Sequence, residues 1–232
     1  MARREQQEVR NRHANLLLVE GISEKFTIPY LVGNNGVKWV IDKDNKKFFA
    51  YIDDYGGGKD KIVKSPVISA ELNVPGRKAL GLIVDADSNC ASRWQGVRDA
   101  CKKVIPDLPK ELPETGLIHD ARAKDDTIVK FGVWIMPDNQ NRGMFETFLH
   151  FLIDDEHEPL WQYAQETAAE AKNRGADYKA VHSDKAKIHT WLAWKDEPGN
   201  QLHIAVKEKM LNPQHPKSKV FMKWFKNLYS LT

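Results

Sequence analysis

The segment ALGLIVD, residues 79–85, constrains the fold more than any other part of the chain. It is an unbroken apolar run closed by an acid, Asp85, with a second acid, Asp87, two residues on. A run this short and without polar alternation reads as a strand buried on both faces, the pattern of a parallel sheet. LLLV at residues 16–19 repeats the pattern and ends at Glu20-Gly21, and FGVWIM at 131–136 repeats it again before Pro137-Asp138-Asn139 stops it. Shorter strands are predicted at 37–41 and 48–53, with Gly56, Gly57 and Gly58 as a flexible loop.

Helical segments separate these strands. Ser23 reads as an N-cap followed by Phe26, Ile28, Tyr30 and Leu31, with Pro29 limiting regularity. Residues 93–104 read as helical, and Pro106, Pro109 and Pro113 mark a surface loop. From Gly143 a helix gathers Met144, Phe145, Phe148, Leu149 and Leu152 on one side. Beyond about residue 155 only helical patterns remain. The expected fold is therefore α/β, a mostly parallel central sheet flanked by helices. Residues 1–155 form its core, and residues 156–232 form a helical extension packed on that core as one unit.

Composition narrows the class of protein. Apolar residues make up 41% of the 232-residue chain and recur throughout, which excludes a disordered or collagen-like protein. The two cysteines, Cys90 and Cys101, form no C-x-x-C pair and suggest a reducing compartment. No apolar run approaches the roughly 18 residues of a membrane helix. The four apolar residues after the basic start are too few for a signal-peptide core. The expectation is a soluble cytoplasmic protein with no membrane association. A net charge of +3 permits nucleic-acid binding without demanding it. The lysines are densest near the end, at Lys207, Lys209, Lys217, Lys219, Lys223 and Lys226, where the plainer reading is a solvated helix face.

Open parallel sheets bind ligands at the carboxyl ends of their strands. Glu20, Asp85 and Asp87 all fall at such ends. Carboxylates gathered there repel one another and hold either a proton or a divalent cation, and hard oxygen donors suit Mg²⁺ or Mn²⁺. Read singly, Asp85 and Asp87 are also ordinary turn or N-cap residues. A haloacid-dehalogenase-like phosphatase would carry its D-x-D near the chain start, followed by Thr or Val, where this chain has Ser88-Asn89. A nucleotide-sugar glycosyltransferase has no place for Glu20-Gly21.

The pairing of Leu18-Val19-Glu20-Gly21 with Val84-Asp85-Ala86-Asp87 resembles the Toprim domain, the metal-binding module of topoisomerases, bacterial primases and several nucleases. LLLVEGISEKF, LGLIVDADSN, FGVWIMPDNQNRGMFETFL and KAKIHTWLAWKDEPG together look like a stand-alone bacterial Toprim-like family, related to Toprim nucleases of the OLD type. The resemblance implies that Glu20 is a general acid/base or metal-bridging residue and that Asp85 and Asp87 are metal ligands. Glu24 matches an acid found one turn later in the OLD type, and i, i+4 spacing aims both acids at one site. Asp138 and Glu146 are candidates for a second metal; the plainer readings are a turn residue and a helix N-terminal charge.

A lysine beside the metals would stabilise charge on a transferred phosphate, as in the OLD type. Lys187 is assigned that role, whereas Lys185 is read as helix surface gripping substrate. Arg93, Arg98, Lys219, Lys223 and the loop from Gly56 to Lys61 complete the expected substrate grip. His182 and His189 make no zinc spacing with either cysteine, and Trp191 and Trp194 read as a buried seam.

The resulting expectation is an Mg²⁺-dependent endonuclease hydrolysing DNA or RNA phosphodiesters. The chain has no room for the further domains of a topoisomerase or primase. It carries no G-x-x-x-x-G-K-[ST], so any ATP dependence comes from a partner. The resemblance implies an ABC-type ATPase for that role, as in PARIS-type anti-phage systems, and with it an effector in antiviral defence. Two other readings stand beside it: a catalytically silent or partner-activated binding subunit, and a small-molecule phosphohydrolase. Phe225 and Tyr229 are expected as exposed aromatics marking a contact surface, with oligomeric state open.

Overall fold

The apolar runs become the interior of one sheet in the computed structural model, which describes residues 3–42 and 47–231. Helix α1 (Arg3–Asn11) leads into strand β1 (Asn15–Val19), and α2 (Ile22–Asn34) follows. Strands β2 (Val40–Asp42), β3 (Lys47–Phe48) and β4 (Tyr51–Asp53) come next, then helices α3 (Lys59–Ile62) and α4 (Ser65–Leu72). Strand β5 (Ala79–Asp85), α5 (Cys90–Cys101), β6 (Leu117–Arg122) and β7 (Ile128–Met136) complete the sheet. Thereafter come only helices: α6 (Phe145–His150), α7 (Glu158–Asn173), α8 (Ser183–Leu192), α9 (Leu202–Lys207) and α10 (Lys219–Leu228).

The five-stranded sheet runs β4-β1-β5-β7-β6, parallel except for β6, which returns antiparallel along β7. The sequence reading is confirmed in class and corrected in detail. The strands expected at 37–41 and 48–53 are instead three short pieces. β2 pairs with β3 in a separate antiparallel ribbon, and only β4 joins the sheet. Helix α2 starts at Ile22 with Gly21, not Ser23, at its N-cap, and it carries Pro29 in its interior.

Side-chain alternation divides the core into two layers. Leu16, Leu18, Leu80, Leu82, Val84, Val133 and Ile135 point to one face, where Trp94 and Val97 of α5 and Ile68 of α4 cover them. Leu17, Val19, Ile83, Trp134 and Met136 point to the other, against α2 and the C-terminal helices. Gly81 and Gly132 create a shallow place on that second face: a methyl group on either would lie within 3.0 Å of Leu228. The end of α10 fills it, and the Tyr229 hydroxyl donates to the Leu16 carbonyl at 3.0 Å. Phe225 and Tyr229 are therefore buried, at 0% and 6% exposure, and the exposed contact surface expected of them is absent. Trp224 is fixed by an indole N–H donated to the Leu117 carbonyl at 2.9 Å. Trp191 is buried as expected, but Trp194 lies past the end of α8, 39% exposed and stacked on Tyr163. Among the described residues no helix is long and apolar enough to cross a membrane.

Candidate active site

The connection leaving β1 climbs onto one face of the sheet through α2, and the one leaving β5 onto the opposite face through α5. Neighbouring parallel strands whose connections diverge leave a crevice between their carboxyl ends, the usual ligand position of an open α/β sheet. Glu20 leaves β1 into that crevice, and Asp85 and Asp87 leave β5 into it. Glu24, from the first turn of α2, and Glu146, from the first turn of α6, line the same cleft, whose volume is about 620 Å³.

Backbone groups hold these acids in place. Glu20 accepts the Asp85 N–H through Oε2 at 3.0 Å, and its own carbonyl accepts the Gly58 N–H at 2.7 Å. Asp85 accepts the Phe145 N–H through Oδ1 at 2.8 Å, which ties the end of β5 to the start of α6. Asp87 takes a left-handed φ of 53° and exchanges both backbone hydrogen bonds with Gly143, each at 2.9 Å. Gly143 has a φ of +139°, and a Cβ there would fall 2.6 Å from Thr147 Oγ1, so this clamp requires glycine. Thr147 accepts the Met144 N–H and donates to Asp184, which supports the clamp from behind.

Arg93 pairs with the Asp87 carboxylate and donates to the Asp85 carbonyl. Lys185 Nζ lies 3.5 Å from Glu146 Oε1. Burial, then the charges of Glu146 and Glu20, push the Glu24 carboxyl up to about 7, although its backbone hydrogen bond and Lys185 pull the other way. Burial, followed by Glu24, Glu20, Glu146 and Asp87, holds Asp85 well above the ordinary carboxylate range. These mutual effects place five acids within one electrostatic neighbourhood.

Six predicted site residues line the cleft: Glu20, Glu24, Asp85, Asp87, Glu146 and Lys185, with Arg93 held against Asp87. The others lie elsewhere. Lys187 binds Asp184 at 3.0 Å, and the cleft-facing lysine is Lys185. Asp138 closes its own turn, accepting the Gln140 and Asn141 N–H groups at 3.1 and 2.8 Å, as its plainer reading has it. Arg98 donates to Gln95 on α5. Lys219 and Lys223 border a separate depression with Asn35. Asn35 caps the far end of α2, roughly 20 Å along the helix from Gly21 at about 1.5 Å per residue. Of the loop from Gly56 to Lys61, Gly58 reaches the cleft and Lys61 donates to the Gly56 carbonyl; the side chains of Lys59 and Asp60 lie outside those described.

Sequence reasoning weighed His182 only as a zinc ligand and set it aside, yet it lines the cleft three residues before Lys185 at the head of α8. Its position in HSDK, one turn before a lysine already under consideration, was the available signal.

The donors facing the cleft are hard carboxylate oxygens, the set that suits Mg²⁺ or Mn²⁺ and not zinc. Among the described residues no three His, Cys, Asp or Glu side chains already stand as a closed metal cage. Glu20 and Asp85 each rest one oxygen on a backbone N–H, and Asp87 rests on Arg93. Residues 14–230 match the model of a family described as protein of unknown function (DUF3226). No curated protein and no solved structure matches the chain.

Proposed function

The chain belongs to the DUF3226 family, and we propose that it is a metal-dependent phosphodiesterase acting on nucleic acid, an endonuclease of Toprim type. The observation that carries this reading is the convergence of Glu20, Glu24, Asp85, Asp87 and Glu146, with Lys185, on one cleft at the β1–β5 switch point. The resemblance of the V-E-G and D-A-D segments to Toprim domains supports it independently.

Glu20, Asp85 and Asp87 would hold Mg²⁺ or Mn²⁺, with Glu24 and Glu146 available to a second ion. Bound there, the cation supplies Lewis acidity toward a phosphoryl oxygen and a water of lowered pKa. The chain's own residues do the rest. The five acids exclude a phosphate from the empty cleft by charge, so substrate enters only once a cation has balanced them. Lys185, half exposed at the rim, offsets charge that develops on the phosphoryl oxygens. Arg93 fixes the D-x-D turn by holding both the Asp85 carbonyl and the Asp87 carboxylate. Glu20 is the acid nearest the end of β1 and is assigned proton transfer to or from the attacking water. Any coupling to ATP hydrolysis would come from a separate ATPase, since no phosphate-loop lysine motif occurs in the chain.

The test is cleavage of supercoiled plasmid, single-stranded DNA and total RNA with Mg²⁺ or Mn²⁺. The native chain is compared with folded Glu20→Ala and Asp85→Ala. Both substitutions, and chelation, are expected to lower cutting at least about 100-fold. Cutting that survives both substitutions would remove the metal-site assignment. Hydrolysis of small phosphodiesters with no nucleic acid cut would move the substrate to the small-molecule class.

A further inference from the structure

Among the described residues that line the acidic cleft, His182 is the only imidazole, and the fold makes no use of it. It is exposed and closes the short turn Ala180–His182 that runs into α8. The residue stands at the N-cap position of α8 without capping it. Its ring makes no hydrogen bond, ion pair or ring contact among the described residues. Ser, Thr, Asp or Asn would cap the helix, so stability gives no reason for histidine at this position.

Its neighbours place it relative to the acids. Lys185, three residues on, shares its side of the helix and brings Nζ to 3.5 Å from Glu146 Oε1. A chain of contacts thus crosses the cleft. Glu20 accepts the Asp85 N–H, Asp85 accepts the Phe145 N–H, Glu146 meets Lys185, and His182 follows one turn from Lys185. Glu20 and His182 are the two ends of that chain. Displacement at phosphorus runs in line, with the attacking and departing oxygens on opposite sides of the phosphorus atom. A water that loses its proton at the Glu20 end therefore expels an oxygen toward the α8 end. That oxygen leaves poorly as an alkoxide and needs a proton. The carboxylates are engaged with the cation and Lys185 with the phosphoryl oxygens, which leaves His182 to supply it. Imidazole gains and loses protons near neutral pH, as the task requires.

We propose that His182 is the general acid of the reaction and donates its ring proton to the departing oxygen. The proposal rests on the phosphodiesterase reading and adds the residue that completes its proton balance. Glu20 takes a proton from water, and the water oxygen bonds to phosphorus as the bond from phosphorus to the leaving oxygen breaks. The electron pair of that broken bond takes the proton from His182. The products are a phosphate monoester and an alcohol. Glu20 then returns its proton to solvent, and the exposed imidazole recovers one.

A thiolate departs without a proton where an alkoxide does not, and this supplies the test. Single-turnover cleavage with Mn²⁺ is measured on a strand with the ordinary linkage and on one whose departing oxygen, identified from the product ends, is replaced by sulfur. His182→Ala is expected to cut the ordinary linkage about 100-fold or more slowly than the native chain, but the sulfur-bridged linkage within about threefold of it. Its Mn²⁺ affinity, read by electron paramagnetic resonance, is expected to equal that of the native chain, because the ring is no metal ligand. The position is exposed, and the melting temperature verifies that the variant folds. Equal slowing on both linkages would overturn the proposal and make His182 a charge that binds phosphate. Weakened Mn²⁺ binding would overturn it in favour of a ligand role, and native-rate cutting of the ordinary linkage would overturn it outright. The two readings fail distinguishably. A native chain that cuts neither linkage sinks the nuclease and the general acid together, whereas cutting lost in Glu20→Ala but retained in His182→Ala sinks only the general acid.

Discussion

Two clusters of charge flank the sheet, and they are built on opposite plans. Beyond β4, Glu71 is 2% exposed, lies 2.8 Å from Arg10 Nε as an ion pair, and accepts hydrogen bonds from Arg77 Nη2 at 3.0 Å and from the Tyr55 hydroxyl. Arg10 also pairs with Asp53 and lies over the Tyr55 ring, 4.3 Å from its centroid. Each acid there has a guanidinium partner. Beyond β1 and β5, five carboxylates gather on one cleft, where Lys185 lies against Glu146 and Arg93 against Asp87. Evenly paired charge fastens α1 and α4 to the sheet. Carboxylates that raise one another's pKa are costly to keep close together, and the proposed function gives that cost a use in binding a cation.

If that contrast is right, removing one acid has opposite consequences in the two places. Glu71→Gln leaves two buried guanidinium groups with too few anions and is expected to destabilise the fold by about 3–5 kcal/mol. Urea unfolding would measure it. A loss below about 1 kcal/mol would show that the first cluster is no better compensated than the second.

The next effect separates the clusters by pH and metal. The Glu24 carboxyl is raised from 4.5 to about 7, so between those values the folded state binds more protons than the unfolded state. Stability without metal therefore falls as pH rises through this window, and the same sign holds for Asp85. For Glu24 alone the penalty above pH 7 is about 3 kcal/mol, fully absent below pH 4.5. Mg²⁺ at a hundred times its dissociation constant restores about 2.7 kcal/mol. Thermal unfolding at pH 8 should thus respond to Mg²⁺ more than at pH 5.5, where protons already occupy the acids. A metal response that is equal at both values would mean that the cation binds outside this cleft.

Smaller in stability, and opposite in sign to Glu71→Gln, is Asp85→Asn. The amide oxygen can still accept the Phe145 N–H, while one of five mutually repelling charges disappears. A gain of about 1–2 kcal/mol is expected, some 2–8 °C in melting temperature, together with loss of cleavage. A lower melting temperature would show that Asp85 serves the fold before it serves chemistry.

How much of this was legible depended on the distance over which each relation had to be read. Glu20, Asp85 and Asp87 declare themselves because an acid closing an apolar strand has one place to go, the carboxyl edge of the sheet. Glu24 follows by helical spacing. Glu146 could be suspected but not placed, because its position depends on Asp85 holding the Phe145 N–H, a contact across 60 residues. The burial of Phe225 and Tyr229 had a visible cause in retrospect: Phe221, Trp224, Phe225 and Leu228 carry the spacing of a one-sided apolar helix. Helix α1 was illegible, since its described buried contribution is the single Arg10. Strand β6 was missed because only Leu117 and Ala121 of its six residues turn inward.

The choice between Lys185 and Lys187 shows the limit most sharply and yields the smallest predicted effect. At 3.6 residues per turn, positions two apart point about 200° from each other, so a single helix can aim only one of them at the cleft. Sequence could not say which, because the phase of α8 is set by Ile188, Trp191 and Leu192 packing into the core. That packing turns Lys185 toward Glu146 and leaves Lys187 on Asp184, where hydrogen bonds from Thr147 and Lys187 outweigh burial and keep the Asp184 carboxyl below its ordinary range. Lys185→Ala is therefore expected to lower cleavage about tenfold or more at unchanged stability, as loss of one charge-stabilising donor does. Lys187→Ala should cost at most about 1 kcal/mol of stability, the value of a partly exposed ion pair, and leave cleavage within a few-fold of native. Single-turnover rates with saturating Mg²⁺ distinguish them. A larger rate loss in Lys187→Ala would mean that support of the Gly143 clamp through Asp184 and Thr147 governs the chemistry more than the charge at the rim does.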